Sequence, residues 1–223
     1  MTAVLAVLAG ALGLLVGHLV NRAAGRFPWR SARLRVPAGR GAVAIRPPVV
    51  ELATALLFAL VVVRLGASWE LPAFLWFAGV AVLLTVIDLQ HRLLPNCIVA
   101  PAIGVGAALL LIAAAPGQDW SALLRAGLGA VVLFAVFLVL ALMSPRGLGM
   151  GDVKLAGLLG LYLGWVGWGA VVVGAAAGFV VQALLALALL AGRRIGLRSE
   201  LPFGPAMLVG AAVAIGWSSS LLG

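Results

Sequence analysis

The chain has 223 residues, of which 65% are hydrophobic and 9% charged, with a mean hydropathy of +1.23 and a formal net charge of +9. A soluble domain carries roughly a quarter charged residues, so this composition excludes an ordinary water-soluble fold and places most of the chain in lipid. The single cysteine, Cys97, excludes an internal disulfide and a multi-cysteine zinc site.

A hydrocarbon core about 30 Å thick needs roughly 20 apolar residues per helix. Apolar runs bounded by proline, glycine and charge predict helices at 3–20, 49–67, 71–87, 97–115, 122–143, 153–166, 168–191 and 203–222. The fold class expected is therefore an all-α polytopic membrane protein with about eight transmembrane helices, forming one membrane-embedded domain over 1–223. The first run is not read as a signal peptide, because no basic residue precedes it and arginines follow it. The sixth run is short and rich in glycine, so a tilted or re-entrant segment is expected there, ending near Trp165 to Trp168. Gly10, Gly13 and Gly17, and again Gly157, Gly160 and Gly164, are spaced for close helix packing.

The basic residues orient these helices. With the N-terminus outside, the loops 21–48, 88–96, 144–152 and 192–202 become cytoplasmic, and only Arg64 and Arg125 of the 15 basic residues fall toward the outer face. That bias puts both termini outside. It also accounts for the positive charge without nucleic acid, since no basic patch with interleaved aromatics or recognisable binding module is visible. Trp165, Trp168 and Trp217 suit anchors at the outer interface.

The six acids carry the chemistry. Glu70 and Asp119 fall in short outer loops, whereas Glu51, Asp88, Asp152 and Glu200 all map to the cytoplasmic ends of helices. Four distant sequence positions thus share one depth, where an ionisable group is costly and functional by default. Asp88 closes the third helix in a segment that continues to Pro95 and Asn96. Asp152 follows Gly147-Leu148-Gly149-Met150-Gly151 and opens the sixth, and the glycines there let a peptide backbone approach closely. Each acid also has a plain reading: Asp152 as a helix cap and Asp88 as a helical ion-pair partner of Arg92. His18 and His91 are the only histidines, and no metal-ligand cluster has useful spacing.

The stretch Gly149-Met150-Gly151-Asp152-Val153-Lys154 resembles the GxGD signature of the type IV prepilin leader peptidases, and Asp88 with Pro95-Asn96 is similar to the segment around their other catalytic aspartate. Gly17-His18-Leu19-Val20-Asn21-Arg22 resembles the family's first-helix exit. Pro47-Pro48-Val49-Val50-Glu51 is similar to the entry of its second helix, and Pro202-Phe203-Gly204-Pro205 to the entry of its last. The resemblance spans nearly the whole chain in order.

It implies an aspartyl endopeptidase in the cytoplasmic (inner) membrane, cleaving the basic leader from prepilin or pseudopilin precursors at the cytoplasmic face, with Asp88 and Asp152 catalytic. Two carboxyl groups sharing one proton around a water need no cofactor or metal: one takes a proton from the water and the other donates to the scissile carbonyl. From helix direction, Asp152 at an N-terminal end is expected to be the base and Asp88 at a C-terminal end the acid. Gly149, Gly151, Lys154, Pro95, Asn96, Glu51, Glu200, Pro202, Gly204 and Pro205 are expected to support the site or the substrate, with Lys154 contacting substrate or lipid headgroups, and membrane lipids are expected partners of the chain as a whole. The resemblance also implies N-methylation of the new N-terminus with S-adenosylmethionine, around Gly17, Asn21 and Glu51. The loop 21–48 has no cysteine, unlike the zinc-binding loop of many members, and is read as a reduced form of that region. The alternative reading is a proton- or cation-coupled membrane transporter with embedded acids.

Overall fold

The computed structural model describes residues 2–27, 43–144, 148–192 and 201–221. Glu200, Gly147 and the loop arginines Arg30, Arg33, Arg35, Arg40, Arg146, Arg193, Arg194 and Arg198 lie outside the described residues. Among the described residues the regular structure is entirely α-helical, in eight helices. They are α1 (Thr2–Gly25), α2 (Val49–Leu65), α3 (Leu71–His91), α4 (Asn96–Gly117), α5 (Trp120–Met143), α6 (Met150–Val166), α7 (Trp168–Ala191) and α8 (Gly204–Leu221). By length and apolar composition α1, α3, α4, α5 and α7 can each cross a membrane, and α2, α6 and α8 are shorter apolar helices. The architecture is that of an all-α polytopic membrane protein.

The helices form two compact units, Met1–Arg92 and Leu93–Gly223. In the first, α1 packs along α2 and both meet α3. Lipid tails are as apolar as leucine, so burial of apolar surface does not drive such pairing; close van der Waals contact does. Gly13 and Gly17 provide it: a Cβ on Gly13 would lie 2.6 Å from the Ala55 Cα, and one on Gly17 would lie 2.7 Å from the Glu51 Cα. Phe58, Val62, Ala9 and Ala78 fill the core of this unit.

In the second unit α6 is the centre. It touches α4, α5, α7 and α8, and 12 of its 17 residues are buried. Gly160 and Gly164 let its backbone lie on α5, where a Cβ on Gly160 would collide with the Gly129 carbonyl and lie 2.8 Å from the Ala130 Cα. The short sixth element is thus a continuous helix sheathed by its neighbours. Its C-terminal end is closed by Arg125 of α5, whose Nε donates to the Gly164 carbonyl and whose Nη2 donates to the Trp165 carbonyl, each at 2.7 Å. Helix ends leave such carbonyls without intrahelical donors, and lipid offers none.

Two expectations are corrected here. Trp165 is not an interfacial anchor: it is 7% exposed, packed within the unit, whereas Trp168 and Trp217 are exposed. Asp88 does not end its helix, because α3 continues one turn to His91 and stops at Arg92, a left-handed residue (φ 51°) whose N–H donates to the Asp88 carbonyl at 2.8 Å.

Candidate active site

Asp88 belongs to the first unit and Asp152 to the second. Asp88 sits in the last turn of an apolar 21-residue helix and is 5% exposed. Asp152 occupies the third position of α6, partly buried, where its Oδ2 accepts the Gly149 N–H at 3.2 Å. That bond closes the first turn of α6 and starts the helix at Met150, ahead of the start at 153 expected from the apolar run. Carboxylates are favoured at such a position because the free N–H groups of a helix start point toward them.

The second unit joins both of its motif segments. Pro95, in extended geometry (φ −72°, ψ 132°), precedes α4, and Asn96 is the first residue of that helix. Lys154, two residues after Asp152, donates from Nζ to the Asn96 Oδ1 at 2.7 Å. Gly151 lies so close to this segment that a Cβ there would be 2.9 Å from the Leu94 Cβ. The start of α6 is therefore fixed against the start of α4 by one side-chain bond and one glycine contact. Pro202, Gly204 and Pro205 form a different group at the entry to α8. There Phe203 packs against Phe179 and Phe137, with ring centroids 5.2 and 6.2 Å away.

In the first unit Gly17, Asn21 and Glu51 come together. Asn21 is fully buried, and its side chain is spent: Nδ2 donates to the Ile45 carbonyl (2.9 Å) and to Glu51 Oε1 (3.2 Å), while Oδ1 accepts the Ile45 N–H (2.9 Å). The Asn21 carbonyl also accepts the Ala44 N–H at 3.2 Å. Near the end of α3, Gln90 donates to the Ala44 carbonyl. The returning loop is thus pinned on one side by α1 and on the other by the helix that carries Asp88. His18 Nδ1 stands 3.6 Å from Glu51 Oε1, and His91 packs its ring against Phe27 at 5.1 Å. Sequence reasoning missed Gln90 and Leu94. Gln90, an amide two residues from Asp88, was the available signal; Leu94 offered none.

A family model described as the type IV leader peptidase family matches residues 73–215, a segment that includes both Asp88 and Asp152. Proteins named prepilin leader peptidase/N-methyltransferase are similar over most of the chain. The one from Bacillus subtilis is 34% identical, covering 78% of this chain and 67% of the relative. That from Pseudomonas aeruginosa is 32% identical, covering 82% and 62%, and that from Stutzerimonas stutzeri 29% identical, covering 86% and 66%. The chain spans just under two thirds of the length of the first relatives it matches. No solved structure matches it. These similarities lend no support to the transporter alternative.

Proposed function

Because the chain belongs to the type IV leader peptidase family, we propose that it is an aspartyl endopeptidase of the cytoplasmic membrane, acting as one membrane-embedded domain that removes basic leaders from prepilin-type precursors at the cytoplasmic face. The observation that carries this reading is the burial of Asp88, a residue 5% exposed in the last turn of an apolar helix and inside the family-matched segment that also contains Asp152. A buried acid in a bilayer is kept for chemistry. The work is then divided as helix ends suggest. Asp152, at a helix start with an N–H bonded to its carboxylate, takes the proton from water, and Asp88, in the last turn of its helix, donates to the scissile carbonyl. Two interacting carboxyl groups titrate together, so a rate profile does not divide the roles. Carboxyl-stretch infrared spectra do: the protonated-acid band should be lost in Asp88→Asn and kept in Asp152→Asn, and the opposite result reverses the assignment.

The substrate class is tested by co-expressing the chain with candidate prepilin and pseudopilin precursors from the same genome. Appearance of the leader-cleaved product supports the reading; intact precursors beside normally inserted enzyme oppose it. N-methylation is the second activity in the relatives' names, and the resemblance implies S-adenosylmethionine as its methyl donor. Of the residues expected around it, Gly17 is taken up by helix packing and Asn21 by loop contacts, which leaves Glu51. Among the described residues, Glu51 alone does not make a cradle for the cofactor. The mass of a processed subunit decides between a peptidase that also methylates, which the resemblance implies, and one that does not.

A further inference from the structure

Glu51 is held in an uncommon way. The residue is 8% exposed, in the first turn of α2, with α1 pressed against its backbone at Gly17. Its Oε1 accepts from Asn21 Nδ2 and faces His18 Nδ1, but Oε2 is buried with no hydrogen-bond partner among the described residues. The nearby donors are not free to turn toward it: both Asn21 Nδ2 bonds are made, and Asn21 Oδ1 is held by the Ile45 N–H. His18, with 43% of its side chain exposed, is the outward-facing member and lies on the other oxygen.

A buried acceptor without a donor is costly, and a charged one more so. If the only task were to accept from Asn21, the neutral amide of glutamine would do it in the same volume. The carboxylate adds a charge and a second acceptor, and among the described residues no donor takes up Oε2. We infer that Oε2 of Glu51 is the receptor for a cationic nitrogen of the substrate, bound by a charge-assisted hydrogen bond. This rests on the peptidase reading and deepens it. Such a substrate offers the chemistry from two sources: the lysine and arginine side chains of the leader, and the α-ammonium that cleavage creates on the mature subunit.

The test uses the full chain in lipid nanodiscs and reads peptide binding by fluorescence anisotropy, without cleavage. One pair of probes is a short precursor peptide with a Lys/Arg leader and its twin with those residues replaced by glutamine. The other is a peptide beginning at the mature N-terminus, with the amine free or acetylated. The wild-type chain should prefer the cationic member of at least one pair by about tenfold or more, the range for a hydrogen bond to a charged group. Glu51→Gln should bring that ratio close to one. Collapse in the leader pair assigns the leader, and collapse in the second pair assigns the new amine. A ratio unchanged by Glu51→Gln in both pairs, or no preference in the wild type, overturns the inference. Ratios compare ligands on the same folded molecules, so a general loss of stability cancels. If Glu51→Gln fails to insert, Glu51→Asp replaces it, with a severalfold smaller preference expected; an unchanged preference overturns the inference. Failure of leader cleavage in co-expression and failure of charge discrimination here are separate results.

Discussion

Lys154 of α6 donates a 2.7 Å hydrogen bond to Asn96 of α4, joining two motif segments 58 residues apart in sequence. The bond is exposed, so its stability contribution should be modest, about 0.5–1.5 kcal/mol. Its second effect is to hold the first turn of α6, which carries Asp152. Lys154→Met and Asn96→Ala are each expected to slow precursor cleavage, and the double variant to be little worse than either. A double-mutant cycle on cleavage rate checks this. Fully additive losses would mean the two residues act separately.

Gly129 and Gly127 lie two residues apart on α5 and face different surroundings. A Cβ on Gly129 would sit 2.5 Å from the Gly160 carbonyl oxygen and 3.0 Å from the Gly164 Cα, whereas one on Gly127 meets nothing within 4 Å. Gly129→Ala should therefore cost about 1–3 kcal/mol through forced separation of α5 and α6. Gly127→Ala should be neutral or stabilising by up to about 1 kcal/mol, because alanine is the better helix former. Thermal unfolding of the two variants in the same detergent makes the comparison.

Arg125 satisfies two carbonyls at the end of α6 with one planar side chain. Arg125→Leu should cost about 1.5–3 kcal/mol, the value of hydrogen bonds to a charged group. Arg125→Lys should restore only part of it, since an ammonium does not reproduce the two-point geometry. Stability of Arg125→Leu equal to wild type would show that the carbonyls find other partners.

The helix plan was legible because apolar length is a strong signal in a chain that must satisfy lipid. What was hidden is instructive. The apolar run of α1 stops where Asn21 and Arg22 begin, yet the helix continues to Gly25, because Asn21 is buried against the backbone of Ala44 and Ile45 and Ala24 is also buried. Partners that are backbone atoms leave no trace in residue identity. The same holds for Arg125: by charge alone it was a basic residue on the wrong side, while its task is set by the carbonyls of a short helix. Of the site, the aspartates and glycines could be picked out by type and motif. The Lys154–Asn96 bond could not, since it depends on how α4 and α6 pack.

The orientation proposed from the arginine bias has its own consequence. In a Cys97→Ala background, needed because the native thiol is exposed, a cysteine placed between positions 33 and 40 should react only with reagent supplied from the cytoplasm. One placed beside Asp119 should react only from outside. The reverse pattern would put Asp88 and Asp152 on the face away from a precursor's leader.

The most direct measurement is precursor cleavage by Asp88→Asn and Asp152→Asn, each compared with the wild-type chain at equal membrane levels. Either substitution removes half of a shared-proton mechanism while preserving side-chain volume, so each should abolish leader removal, and the double variant should lose little more because residues acting as a unit are not additive. Normal processing by either single variant, inserted at wild-type levels, would contradict the assignment of this chain as an aspartyl leader peptidase.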